Sequence, residues 1–461
     1  MKRALLILAM VCLLFPAGAL AQEKEKKKHP SVEEALDAFT AAEKTDAVTE
    51  ATPMSGYPRF DISGWAKISA AADWAHDDPP AGVDEFNGLS RLRAQALPAL
   101  DADINKRWKA RISARMWHDF AYDIQDEDDF SNDYLESMQD YARLWEVWVQ
   151  GSLGAGLDVT FGRQVVVWGT SDDLRVVDVI NPLDIREPFM NDIEELRIPV
   201  AMTRLDYAAG AWNVTALAVH EPEEDNTPAQ GSPYDPLTRP LPPVDRPDAG
   251  LNDSEFGLAV TGRLTGWDVA FYFADFWENS PHLEMTAPAT WTMTPGGPVI
   301  TAPPRYEREF SRVKMLGSAV SVAVENWLFK GEAAYLWGLE HFSPPATFQQ
   351  MTTLPSKESR ERIDLLAGFD YNGFSETTIS LEAAVRHLFD FDDALESGVP
   401  GVHENETEYA LRVQRDFAYD TWHLLAVGTA YGDTGDDGWA FRAQAEHDYT
   451  DAVSFTLGGV L

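Results

Sequence analysis

From Phe60 to Leu461 apolar and polar residues alternate with a period of two, in segments of about ten residues joined by alternately short and long connections. A period of two sends successive side chains to opposite faces, so the stretch folds as strands with one apolar face each. Trp108, Ala110, Ile112, Ala114 and Met116 form one such face, and Arg107, Lys109, Arg111, Ser113 and Arg115 the other. Asn372-Gly373, between two alternating runs, predicts a two-residue hairpin turn. Further short turns are expected at Asn105-Lys106, Gly154 to Gly156, Ala209-Gly210, Thr265-Gly266, Glu325-Asn326, Tyr419 and Thr450. Between the hairpins lie acidic or Pro-rich stretches at 123–140, 169–199, 221–253, 279–307, 341–359 and 390–406.

Short turns on one side and long loops on the other are the signature of an outer-membrane barrel. Aromatic residues gather toward strand ends, among them Trp145, Trp212, Trp267, Trp277, Trp327, Trp337, Trp422 and Trp439, as interfacial girdles would. The fold expected is all-β, a transmembrane antiparallel up-and-down β-barrel of 16 to 18 strands, with a short N-terminal helical segment. About 17 strands can be counted where a single-chain bacterial barrel calls for an even number, so one strand is split or missed, or the last lies beyond Leu461.

Lys2 and Arg3, the apolar run Ala4 to Leu14, and the small residues Ala19 and Ala21 read as a signal peptide spanning 1–21. Residues 22–59 are expected to form a periplasmic extension, where Ser31 and Glu34 make a capping box for a helix bearing Val32, Leu36 and Phe39. Residues 60–461 are then the barrel, in the outer membrane of a Gram-negative bacterium. Cys12, the one cysteine, falls in the removed segment, which leaves no disulfide and no thiol chemistry. Asp and Glu number 75 against 37 Lys and Arg, a net charge of −38, which excludes a nucleic-acid partner held by phosphate neutralisation. The ten histidines show no metal-site spacing, and there is no Gly-x-Ser-x-Gly elbow and no phosphate-cradling glycine loop. No catalytic residue, metal or cofactor is therefore expected.

Phe161-Gly162-Arg163-Gln164-Val165-Val166-Val167-Trp168-Gly169, followed by Asp178-Val179-Ile180-Asn181-Pro182-Leu183-Asp184-Ile185-Arg186-Glu187, resembles the motif pair of an uncharacterised family of proteobacterial outer-membrane porin-like β-barrels. That family carries a domain of unknown function and is loosely akin to the alginate-export barrels. The resemblance implies passage of solutes, or of a hydrophobic or polymeric product, and brings no catalytic residues. Physically, the motif is a strand followed by a connection of about 30 residues, longer than structureless loops usually run. The reading favoured is a loop folded inward to narrow the pore, with Trp168, Arg175, Asp178, Asn181, Pro182, Asp184, Arg186 and Glu187 as constriction residues; an external lid is the alternative. Asn181-Pro182 would start a turn, and Asp184, Arg186 and Glu187 would fix the loop to the wall. Arg163 shares the parity of the lipid face, where a mid-membrane Arg costs about 2–4 kcal/mol, so it is expected at a bulge or near an interface.

With the apolar parity toward lipid, the other parity lines the lumen. Arg91, Arg93, Arg107, Lys109, Arg111 and Arg115 then form a basic ladder, and Arg308, Arg312 and Lys314 a smaller one. Other walls are mixed, with Lys330 and Glu332, Asp364 and Asp370, Glu382 and Arg386, and Arg412. Such rungs either set a transverse field that selects polar solutes or pair internally to stiffen the wall. The function expected is a channel or export conduit for small polar solutes or an exported product. The alternatives are a non-conducting structural or adhesive surface barrel and a secreted soluble β protein that binds glycans. Expected partners are the outer membrane with its lipopolysaccharide and a small-molecule or polymer solute, and self-association into a homo-oligomer is left open.

Overall fold

A computed structural model describes residues 56–73, 88–125, 130–191, 193–230, 232, 234–235, 241–355, 359–397 and 401–461. The signal peptide and the capping-box helix lie outside them. Among the described residues, seventeen strands form one antiparallel sheet. In chain order they are β1 (Arg59–Asp73), β2 (Gly88–Asp103), β3 (Trp108–Asp119), β4 (Asp140–Gly154), β5 (Leu157–Gln164), β6 (Val200–Ala209), β7 (Trp212–Val219), β8 (Glu255–Leu264) and β9 (Trp267–Trp277). After two small hairpins the sheet resumes with β14 (Arg312–Val324), β15 (Trp327–Glu340), β16 (Ser359–Phe374), β17 (Thr377–Leu388), β18 (Asn405–Phe417), β19 (Trp422–Tyr431), β20 (Gly438–Thr450) and β21 (Val453–Val460). Each strand pairs with its chain neighbour, and β9 pairs directly with β14. The intervening hairpins, β10 (His282–Ala287) with β13 (Arg305–Glu309) and β11 (Thr290–Thr294) with β12 (Gly297–Ala302), lie within one long connection.

The architecture is that of an up-and-down barrel whose connections are alternately short and long, so the long ones share one end. Among the described strands, β1 pairs with β2 and β21 with β20, and β1 and β21 are the edges of the sheet. As first and seventeenth strands of an antiparallel series they run in the same direction.

The faces settle what kind of sheet this is. Ile112, Leu144, Phe161, Phe256, Phe271, Leu316, Phe329, Leu365, Leu381 and Leu411 are exposed on one face, while Arg93, Arg115, Asp119, Lys330, Glu332, Asp364, Asp370 and Glu382 are buried on the other. A water-soluble fold does the reverse, because contiguous exposed apolar surface on this scale associates or aggregates. Strands with apolar side chains out and charged side chains in suit hydrocarbon outside and water or polypeptide within. Trp108, Trp212, Trp267, Trp327 and Trp422 each open the strand after a short turn, on the outer face, which makes a girdle at that end. Trp145 is no part of a girdle. A register shift in β3–β4 between Ile112 and Ala114 brings it inside, where it is buried under Arg115.

The turn expected at Asn372-Gly373 lies three residues later, at Ser375-Glu376. β16 continues to Phe374, which pairs with Thr377, and Glu376 takes the positive φ of 53°. A register shift between Tyr371 and Phe374 absorbs the Asn-Gly pair as an irregularity of the strand.

Between β3 and β4 two short helices cap the wall, α1 (Phe120–Ile124) and α2 (Asn132–Met138). Asp119 caps the first by accepting from the Ala121 N–H, and Ser131 caps the second through Tyr134 N–H.

Candidate functional site: a segment folded into the barrel

After β5 the chain leaves the wall, crosses to strands β15 to β18, and returns to enter β6 at Val200. A connection from the fifth strand that bonds inward-facing side chains of strands far round the sheet must pass through the interior. Three physical devices hold it there.

The first is a clamp at its base. The Asn181 amide donates to the carbonyls of Gln164 (3.2 Å) and Ile198 (2.8 Å), and its oxygen accepts from Val166 N–H (2.8 Å). One side chain thus joins the outgoing and returning limbs, and it is fully buried. Pro182 adds its carbonyl, which accepts from Ile198 N–H at 2.8 Å. Asp178 accepts from Trp168 N–H (3.2 Å) and from Arg197 Nε (2.8 Å), while Arg175 donates to the Asn181 carbonyl at 3.1 Å and pairs with Asp178.

The second device is an apolar contact. Val166, Trp168, Leu174, Val176, Val177 and Ile180 pack in one buried cluster with inward residues of the wall, including Met202, Leu217, Val219, Tyr272, Phe276, Val313, Met315 and Leu336. Trp168 stacks on Tyr272 with ring centres 4.9 Å apart. Gly169 follows at φ +94°, and a Cβ there would fall 2.5 Å from the Glu332 carboxylate. The glycine at this place in the motif is what lets the backbone reach that carboxylate.

The third device is a set of buried carboxylates that accept the N–H groups of the segment's tip. Glu332 takes those of Thr170 and Ser171, and Glu382 those of Asp172 (2.8 Å), Asp173 (3.1 Å) and Leu174 (3.1 Å). Lys330 neutralises this corner, pairing with Asp172, with Asp370 at 2.9 Å and with Glu382 at 3.7 Å. Arg412 holds Asp173 at 2.8 Å, and Arg386 donates to the Arg175 carbonyl at 3.0 Å. An irregular backbone inside a barrel has no ladder for its amides, and these wall side chains supply the missing acceptors.

The motif's last residues reach the opposite wall. Arg186 forms a two-bond fork with Asp184, donates to the Ser137 carbonyl of α2 (2.6 Å), and lies 4.8 Å from the Trp117 ring and 4.9 Å from that of Tyr141. Glu187 pairs with Arg91 and, at 2.7 Å, with Arg93. All eight residues expected at a constriction lie in this segment; Glu187 bonds to β2, Arg186 to α2, and Asp184 to Arg186 within the segment itself.

The basic ladder fares differently. Arg91, Arg93, Lys109, Arg111 and Arg115 lie on the inner parity, but in an antiparallel hairpin Arg93 stands opposite Asp119 and Arg111 opposite Asp101. Arg93 pairs with Asp119 at 3.1 Å, and Arg111 with Asp101 at 3.2 Å and Glu146 at 3.1 Å. The ladder is an alternation of signs. Arg107 is in the turn before β3, beside Lys109 at a cavity of about 250 Å³ at the short-turn end. The second group is not a lumen ladder at all. Arg308 belongs to β13 in the loop hairpins, and Arg312 and Lys314 alternate with the buried Val313 and Met315, so both face outward near the strand end. Arg312 is accommodated there by Asp275 at 2.5 Å and by the Trp277 ring at 5.0 Å. The inference from apolar parity fails at β14 because the inner wall is itself apolar where the segment packs on it.

Arg163 keeps the outer parity, opposite Val147 and Ala201, one residue from the end of β5. It pairs with Glu221 and donates to the Leu144 carbonyl at 3.1 Å, the position near an interface that its charge requires. A feature absent from the sequence reading is a group of His282, Glu284 and Glu340 whose ligand atoms lie within 4.8 Å of one another. It joins β10 to the end of β15, 58 residues on, a distance in sequence over which no spacing motif operates.

Residues 1–457 match the model of a family described as a protein of unknown function, DUF1302. The chain belongs to that family. No curated protein matches it. Among solved structures, similar chains of this DUF1302 member include OccK2 (OpdF) of Pseudomonas aeruginosa, solved with glucuronate, at 9% identity and a TM-score of 0.46, covering 87% of this chain and 91% of that one. OccK8 (OprE) of the same organism gives 8% identity, 87% and 93% coverage and a TM-score of 0.45. The outer membrane channel DcaP of Acinetobacter baumannii gives 10%, 87% and 96%, and 0.41.

Proposed function

We propose that this DUF1302 protein is an outer-membrane channel, through which small polar solutes or an exported product diffuse along a lumen narrowed by residues 165–199. The observation that carries this reading is the inward segment itself. It lies between the apolar cluster on one side and the Lys330, Glu332, Glu382 and Arg412 corner on the other, and its returning limb faces Arg91, Arg93 and Arg115. Charges of both signs fixed across a narrow polar space act on a passing solute through a field that bulk water does not screen. The apolar outer face and the aromatic girdle support a place in the outer membrane.

A second reading, a barrel held shut, is favoured by the extent of the apolar cluster, which ties the segment to the wall over much of its length. Planar-bilayer recording of the refolded full chain separates the two. Discrete conductance steps, with ion selectivity altered by Arg111→Ala, are expected of the channel. Silence from protein shown to be folded by heat-modifiable gel mobility overturns it in favour of the closed barrel.

A further inference from the structure

Where the returning limb of the inward segment meets β2 and β3, four arginines crowd one small cavity. Arg91, Arg93, Arg115 and Arg186 line it, with Lys67 of β1 at its edge. The cavity is about 30 Å³, room for a water or two. Its floor is aromatic. Trp117 stacks on Tyr141 with centroids 4.0 Å apart and planes 10° from parallel, and its indole N–H donates to the Met138 carbonyl at 3.2 Å. Around that ring stand three guanidinium groups, Arg186 at 4.8 Å, Arg93 at 5.1 Å and Arg115 at 5.6 Å, and Arg115 also lies 4.9 Å from Trp145. Rings that hold guanidinium groups in place leave the N–H edges of those groups for an anion.

The acids do not use those edges equally. Asp184 engages Arg186 through two bonds, and Asp119 takes Arg93 from the side. Arg115, only 8% exposed, has a main-chain carbonyl as its hydrogen-bond partner, that of Glu195 at 3.3 Å, and its Nε makes no hydrogen bond. Asp184 and Glu195 line the same cavity, but Glu187 sits as a ligand would: a carboxylate entering from the inward segment, gripped by Arg91 and Arg93, with Arg115 beside it.

We propose that this pocket is a carboxylate-binding site for the solute, kept filled by the chain's own Glu187 until a solute carboxylate takes its place. The inference rests on the channel reading and names the substrate class of the same interior. The cavity is too small to admit a solute beside Glu187, so occupation requires exchange. Because Glu187 is tethered, it competes at the high effective concentration of an intramolecular ligand, and wild-type affinity for a free carboxylate is correspondingly weak. Displacing Glu187 also undoes the tie between the returning limb and β2, which couples solute binding to movement of the segment that narrows the lumen.

The test is calorimetric titration of the folded full chain in detergent with sodium propionate, against chloride at equal ionic strength. Removing the internal competitor in Glu187→Gln is expected to tighten propionate binding at least tenfold, and Arg115→Gln added to that variant is expected to reverse the gain. A Glu187→Gln protein that is folded by heat-modifiable mobility and binds propionate no better than wild type overturns the proposal. Tighter binding of phosphate than of propionate overturns the carboxylate assignment. A second measurement needs no variant: amide exchange across residues 181–191 of the wild type should quicken in molar propionate and not in chloride, and equal exchange in both contradicts exchange of Glu187. Binding in micelles is read independently of conduction, so a protein that binds propionate but is silent in bilayers refutes the channel and leaves the site.

Discussion

Glu382 is fully buried and accepts three consecutive backbone N–H groups, a part that no residue of similar size without an acceptor can take. Glu382→Leu leaves those amides and Lys330 without it, and an unsatisfied buried polar group costs about 1–3 kcal/mol. The expected outcome is a segment 165–199 that proteases cut readily while the barrel keeps its heat-modifiable mobility; resistance equal to wild type would show that the carboxylate does not hold the tip. Glu187 allows a prediction in pH. Its burial raises its pKa, but Arg91 and then Arg93 outweigh that and hold it down at about 2. A carboxyl with a depressed folded pKa contributes stability that is complete above its unfolded value, about 4.3, and is lost as pH falls through the folded value. The tie to β2 should therefore be unchanged between pH 8 and 5 and weaken between about pH 4 and 2. Amide exchange of residues 181–191, corrected for its intrinsic pH dependence, reads this directly, and loosening already at pH 6 would contradict it.

At the scale of the element, each strand's two faces make opposite demands. Phe271, exposed on the outer face midway along β9, should not tolerate a charge: Phe271→Arg is expected to cost about 2–4 kcal/mol if that face meets hydrocarbon. Urea titration of the protein refolded in lipid vesicles measures the loss, and a change below about 0.5 kcal/mol, the size usual for a water-exposed site, would contradict lipid contact. Period and turn spacing made these strands legible in advance, and parity placed Lys330, Glu332, Glu382 and Arg412 on the inner face. What they hold was not legible, because a contact between residues 172 and 382 leaves no trace in local pattern. Arg312 and Lys314 were misplaced for a related reason. Val313 and Met315 are apolar because they pack on Val177 and its neighbours, not because they meet lipid. Likewise the Asn-Gly signal at 372 was local, and the pairing of Phe374 with Thr377 prevailed over it. The motif at 178–187 was easier to read, since residues so close in sequence act within one turn-rich segment.

At the scale of the whole molecule, the sheet turns its charged side chains inward and pairs many of them with its own chain. Inside, each base is shared among several acids, Arg93 between Asp119 and Glu187, Arg111 between Asp101 and Glu146, and Lys330 among Asp172, Asp370 and Glu382, so the acidic excess of the chain, a net charge of −38, extends to these clusters. The buried pairs that reach the segment, those of Glu187 and of Lys330, add little net stability over apolar contacts, yet breaking one leaves a charge stranded, so they fix where the segment lies more than how strongly the barrel is folded. On the proposed channel reading, the segment's position is the feature on which conduction turns. Single-channel conductance of the wild type beside Glu382→Leu tests this most directly. Release of the tip from the wall should give larger or longer open steps, whereas identical steps from two folded proteins would mean that residues 165–199 do not set the width of the path.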